Sequence, residues 1–159
     1  MTISSNGIIA YGIMFDEDNI ENLPWIGEDG DGDIDDWWVD VVHKWKPPFV
    51  LFDESGNYTN DVKPPQEWIS EYFDKRREFV KSLPKLPIKM VIHCSFDYSM
   101  WIMAIPETVM SVSRGYPQKI PDGFVHHDPQ WDKTLVEFCE QYKIEIPDQP
   151  SWWLTSLYG

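Results

Sequence analysis

Ile88-Lys89-Met90-Val91-Ile92-His93, Met100-Trp101-Ile102-Met103-Ala104-Ile105 and Thr108-Val109-Met110-Ser111-Val112-Ser113 are the three runs on which the reading of this chain turns. Apolar residues recur in them with a period of two, which places successive side chains on opposite faces of a strand. The segments between them, at Phe96–Ser99 and Pro106-Glu107, are short enough for tight turns. Three consecutive strands joined in this way predict an antiparallel meander.

Working outward, Gly7 to Phe15 is a further, mostly buried strand, rich in β-branched and aromatic residues. About Gln66 to Leu83 is a helix behind Pro64-Pro65. Its apolar stripe is Trp68, Tyr72, Phe79 and Leu83 with Ile69, Phe73 and Val80 in support, and Lys75, Arg76 and Arg77 take the wet side. An earlier helix starts with Asp33 as its cap. It carries Asp35 and Asp36 against the positive end of its dipole and runs to Lys44 and Lys46, before Pro47-Pro48. Ile34, Trp38, Val41 and Trp45 share its apolar face. The stretch from Asp16 to Gly32 reads as a loop, and Phe49 to Phe52 as a short extended piece. Downstream, Asp128-Pro129 opens a last helix with Leu135, Phe138, Cys139 and Tyr142 on one face. The tail Ser151-Trp152-Trp153-Leu154 is apolar enough to dock or to bind a partner. The expected fold is α+β. A single domain over 1–159 carries an antiparallel meander of three or four strands packed against two or three helices.

Charge is distributed very unevenly. Eleven of the twenty-seven acidic residues precede Lys44 and all thirteen Lys and Arg residues follow His43, so the first forty-three residues carry −11 of the formal −14. This acidic segment, about residues 16–43, repels nucleic acid and anionic lipid and attracts basic surfaces or cations. No apolar run approaches the length of a membrane span, and the start Met1-Thr2-Ile3-Ser4-Ser5-Asn6 lacks the pattern of a secretory signal. Two cysteines, Cys94 and Cys139, make no disulfide framework, so the expected location is the cytoplasm.

Several chemistries fail on spacing. Asp29-x-Asp31-x-Asp33 opens like an EF-hand loop, but its sixth position is Ile34 instead of Gly and its twelfth is Asp40 instead of Glu. A weak calcium site at Asp29, Asp31 and Asp33 is the most this pattern supports, and a solvated loop leading into a helix explains it better. His93-Cys94 invites a thiolate nucleophile, yet neighbours on a strand face opposite ways, so Cys94 reads as a core residue. His93-Cys94-Ser95 is also half of a two-histidine phosphoesterase motif. The remaining histidines, His43, His126 and His127, supply no second half. No zinc-type pairing of His and Cys is present, and no cofactor motif occurs. Arg114 in Ser113-Arg114-Gly115-Tyr116-Pro117 is a possible anion contact, set at a turn that Gly115 permits. The reading leaves enzymatic activity open and favours a binding protein over an enzyme.

The stretch from His93-Cys94-Ser95 through Met100-Trp101-Ile102-Met103-Ala104 to Ser113-Arg114-Gly115-Tyr116-Pro117 resembles small accessory proteins encoded by tailed bacteriophages. The resemblance covers about thirty residues of the meander and implies origin more than activity. Small acidic phage proteins of this kind often bind a host enzyme stoichiometrically, several as phosphate mimics. The expected function is therefore binding and inhibition of a host nucleic-acid-handling or defence protein, as in anti-restriction, anti-CRISPR or DNA-mimic proteins. The partner would present a basic surface, with no direct nucleic-acid or membrane binding and no cofactor. Glu28, Asp29, Asp31, Asp33, Asp35, Asp36 and Asp40 would supply the charge, and Trp25, Trp37 and Trp38 would order the stretch or anchor the contact. The alternatives are a binder or hydrolase of a nucleotide signal, and a virion or scaffolding component.

Overall fold

β1, Ser5–Phe15, is the strand around which the sheet of this chain is built. The computed structural model describes residues 5–27, 32–52, 57–59, 63–95 and 99–158. Their contacts divide into two compact units, Met1–Gly32 with Leu86–Gly159 and Asp33–Lys85.

The first unit holds a five-stranded mixed sheet made of β1, β2 (Lys89–Ser95), β3 (Ser99–Ala104), β4 (Met110–Ser113) and β5 (Ser151–Tyr158). β2 and β3 pair antiparallel as a hairpin, as their alternation predicts. The third strand departs from a meander, because β4 pairs with β1 and not with β3. Both β3 and β4 lie along one edge of β1, end to end. Gly12 faces Ala104 and Ile9 faces Met110, so three steps along β1 match six along its partner. The surplus is taken up by the 3₁₀ turn Pro106–Thr108. Pro106 has no N–H to give a ladder. Thr108 repairs the gap: its Oγ1 accepts from the backbone N–H of Tyr11 at 3.0 Å and donates to the Ile105 carbonyl at 2.7 Å.

The tail is the second departure. Residues 151–158 form β5, which pairs with β1 at eight positions from Ser5↔Tyr158 to Gly12↔Ser151. Its backbone serves this chain's own sheet, and Trp153 and Leu157 pack against the core while Leu154 stays exposed. A short parallel ladder, Cys94↔Leu157 and Ser95↔Tyr158, joins β5 to β2. The pairings β1–β3–β2–β5–β1 thus close into a ring, with β4 as a branch from β1.

Each face of the sheet builds its own core. On one face Ile8, Ala10, Val91, Ile102 and Ala104 are buried together, with Met14, Val109, Trp153 and Leu157 packed against them. The other face meets α4, Pro129–Tyr142. Tyr11 packs on Trp131 with ring centroids 5.4 Å apart, and Cys139 Sγ lies 3.8 Å from Met103 Sδ. Leu135, Phe138 and Cys139 are buried on the stripe their spacing predicts, each large side chain contributing about 1.5–3 kcal/mol. Asp128 caps α4 by accepting from Gln130 N–H, and Lys143 ends it in a left-handed conformation. Cys139 is a core cysteine. Cys94, expected in the core, is half-buried, with φ of +73° near the end of β2, where the strand passes from β3 to the short ladder with β5. A short helix, α1 (Glu17–Ile20), falls within the stretch read as loop.

The second unit contains α2, Ile34–Trp37, which continues as a π-helical turn over Trp38–Val42, and α3, Gln66–Ser82. Asp33 caps α2 as expected, accepting from Asp35 N–H and Asp36 N–H. The helix stops earlier than Lys44 and Lys46 predict. His43 N–H reaches the Trp38 carbonyl, widening the turn, and Lys44 then takes a left-handed φ of +54° that no helix can continue. Trp45 consequently lies outside the helix, where it packs on Phe79 of α3 at 5.0 Å. The short piece near Phe52 forms one antiparallel bridge with Tyr58. No helix among the described residues is long and apolar enough to cross a membrane.

Candidate functional site

The acidic residues that the sequence singles out fall into two sets. Glu28, Asp29 and Asp31 lie outside the described residues, and two of the three calcium candidates lie there with them. Asp33, Asp35, Asp36 and Asp40 are brought together on the nine-residue helical segment of the second unit, Ile34 to Val42, and its cap.

Their geometry is fixed by the helix and by one cation. Asp36 and Asp40 are four apart, so they project from the same side of the segment. Arg76 of α3 reaches both, with Nη2 2.6 Å from Asp36 Oδ1 and Nη1 2.5 Å from Asp40 Oδ1. Its fork suits this, because the planar guanidinium offers separate donors to two carboxylates. The Arg76 side chain is 18 % exposed, whereas Asp36 and Asp40 are 70 % and 45 % exposed. The hydrogen bond to Asp40 raises the Arg76 pKa, partial burial opposes it, and the bond to Asp36 adds to the rise.

Sequence reasoning placed Arg76 wrongly, on the wet side of α3, just as it placed Trp68, Phe73 and Val80 in the apolar stripe although all three are exposed. A signal existed, since Ile69, Tyr72, Arg76, Phe79 and Leu83 recur at three and four residues and share a helix face. Its charge hid a side chain whose stem packs while its head pairs. Replacing Arg76 by Met keeps the stem and removes the fork. The expected loss is about 1–2 kcal/mol in urea unfolding, because two partly exposed carboxylates then face each other unpaired. A change within about 0.3 kcal/mol would show that the fork does not organise this segment.

Trp25 in the first unit and Trp37 in the second are buried, so neither stands at the surface as an anchor. Gly32 lies so close to Trp25 that a Cβ there would collide with the Trp25 carbonyl. Trp38 is half-buried, with Nε1–H donated to the Pro84 carbonyl at 3.3 Å and its ring edge-on to His43. Arg114 is exposed in a turn closed by Tyr116 N–H to the Ser113 carbonyl, with Gly115 at φ +81°.

A second constellation, unforeseen in the sequence, lies in the first unit. Tyr11 of β1 donates its hydroxyl to Asp132 Oδ1 at 2.5 Å, and His127 Nε2–H donates to Asp132 Oδ2 at 2.7 Å. Trp131 and Trp152 flank Tyr11, and His126 packs on Trp131 while its Nδ1–H bonds the Gly123 carbonyl. Burial would raise the Asp132 pKa, but the bonds from Tyr11 and His127 and the charge of His127 outweigh it and hold it low. Burial and then Asp132 push Tyr11 well above its ordinary value. The network ties Tyr11 of β1 to Asp132 of α4.

Among the described residues no group of three or more His, Cys, Asp and Glu side chains is placed to hold a metal ion. No family model matches the chain, and neither a curated protein nor a solved structure matches it.

Proposed function

We propose that this chain is an acidic, non-enzymatic binding protein of phage origin that inhibits a host nucleic-acid-handling or defence protein through the latter's basic surface. The observation that supports this reading is the state of Asp36 and Asp40. A single guanidinium serves both, so they are held in place and one negative charge is left over beside Asp33 and Asp35. Fixed, partly exposed carboxylates give complementarity without the ordering cost of a flexible acidic tail. The phage setting and the host partner rest on the resemblance in the meander and on the net charge of −14.

The test separates charge from fold. Asp33→Asn with Asp35→Asn removes two charges while Asn remains a good helix cap. The partner is captured from bacterial lysate at low salt and identified, and its affinity is then measured with both proteins. Affinity should fall about tenfold or more in the variant and fall further as salt shortens the Debye length. Equal affinity for both proteins, with no salt dependence, would remove this face as the binding surface.

A further inference from the structure

The inner face of the sheet carries an unusual pairing. His93 of β2 is 6 % exposed, and its Nε2 lies 2.9 Å from the thioether sulfur of Met14 on β1. A thioether is a weak acceptor, so this buried imidazole nitrogen has a poor neutral partner. Strand register adds a second sulfur. His93 is directly opposite Met100, and Met14 is opposite Ile102, two residues further along β3. Directly paired residues share a face, so His93, Met14 and Met100 all belong to the face of Ile102 and Val91.

We propose that His93 Nε2 with the sulfurs of Met14 and Met100 forms a binding site for a soft monovalent cation, Cu(I). Imidazole and thioether donors without carboxylates suit Cu(I) and disfavour the hard cations Mg²⁺ and Ca²⁺. A neutral ring that carries its proton on Nδ1 presents the Nε2 lone pair, and in that tautomer the thioether sulfur gives Nε2 no hydrogen bond at all. Met14 and Met100 are half-buried, which leaves the ion an approach from solvent. Metal–nitrogen and metal–sulfur bonds of about 2.0 and 2.3 Å set the two donors roughly 3.5–3.7 Å apart. The pair therefore opens by under about 1 Å, within reach of a three-torsion methionine side chain. Bound metal would tie β1, β2 and β3 together at a point where the ring of strands closes.

The test uses Cu(I) under anaerobic conditions, in competition with a chromophoric Cu(I) chelator and without added thiol. Silver(I) serves as a redox-inert probe for NMR. Roughly one equivalent should bind, with the methyl signals of Met14 and Met100 and the ring of His93 shifting together. Met14→Leu and Met100→Leu conserve volume and should each weaken binding about tenfold or more, with the folded circular dichroism spectrum kept. Cys94→Ser should leave binding unchanged. Should that serine variant lose the metal, the thiol is the ligand and the assignment falls. It falls equally if the methionine methyls stay unmoved at one equivalent.

Discussion

Gly12→Ala is expected to destabilise the first unit by about 3 kcal/mol or more, the largest effect of any single methyl group added to the sheet. A Cβ at Gly12 would drive into the carbonyl of Met103 and come within 2.8 Å of Ala104 Cα. Both obstacles are backbone atoms of the strand β3, so no side-chain rotation relieves them. β1 cannot retreat, because its other edge is bonded to β5 and the Gly12 carbonyl accepts from Trp153 Nε1–H at 3.0 Å. The strands must part, breaking the ladder where β1 passes from β3 to the 3₁₀ turn. Urea unfolding followed by tryptophan fluorescence reads this directly. With the slope unchanged, a loss below about 1 kcal/mol would show that β1 and β3 are not in such close contact.

The second large effect is expected at Asp132. Asp132→Ala removes the acceptor of the buried Tyr11 hydroxyl and should cost about 2–3 kcal/mol at neutral pH. The Pro150 carbonyl, 3.4 Å from that hydroxyl, is too distant to replace the carboxylate. His127→Ala should cost less than about 1 kcal/mol, since its half of the network is exposed. Tyr11→Phe removes donor and need together, so added to the Asp132→Ala variant it should cost little further. Such non-additivity is the mark of one network. The pH dependence has a definite sign. The folded pKa of Asp132 lies below the ordinary 3.8, so its contribution is complete above that value and is lost as pH falls through the folded one. Tyr11 is shifted upward from 10.0, so unfolding gains from its ionisation as pH rises beyond that value. A difference between wild type and the Asp132→Ala variant that is constant from pH 7 to about pH 2 would contradict the role given to Asp132.

What could be read from the residues is what local chemistry fixes. Asp33 and Asp128 cap their helices because a carboxylate accepts from the first free N–H groups, whatever lies further off. The stripe Leu135, Phe138 and Cys139 is buried because only one face of α4 can shed water. Likewise, alternation from Lys89 to Ala104 is enough to specify the β2–β3 hairpin.

Where each strand goes afterwards is a matter of tertiary structure. β4 lies on β1 because three surplus residues at Pro106–Thr108 carry the chain past Tyr11, and periodicity contains no record of that partner. Ser151 to Leu154 read as a docking tail because local sequence does not say whether a strand's backbone pairs with another protein or with β1. The same limit applies to the candidate sites. Charge counts gave the acidic segment, but only packing decides that Arg76 lies beneath Asp36 and Asp40. Only packing, too, brings Met14 against His93 and Tyr11 against Asp132. Composition, capping and period are properties of neighbouring residues. Ion pairs and ligand sets between residues 36 to 121 positions apart exist only once strands and helices have closed on one another.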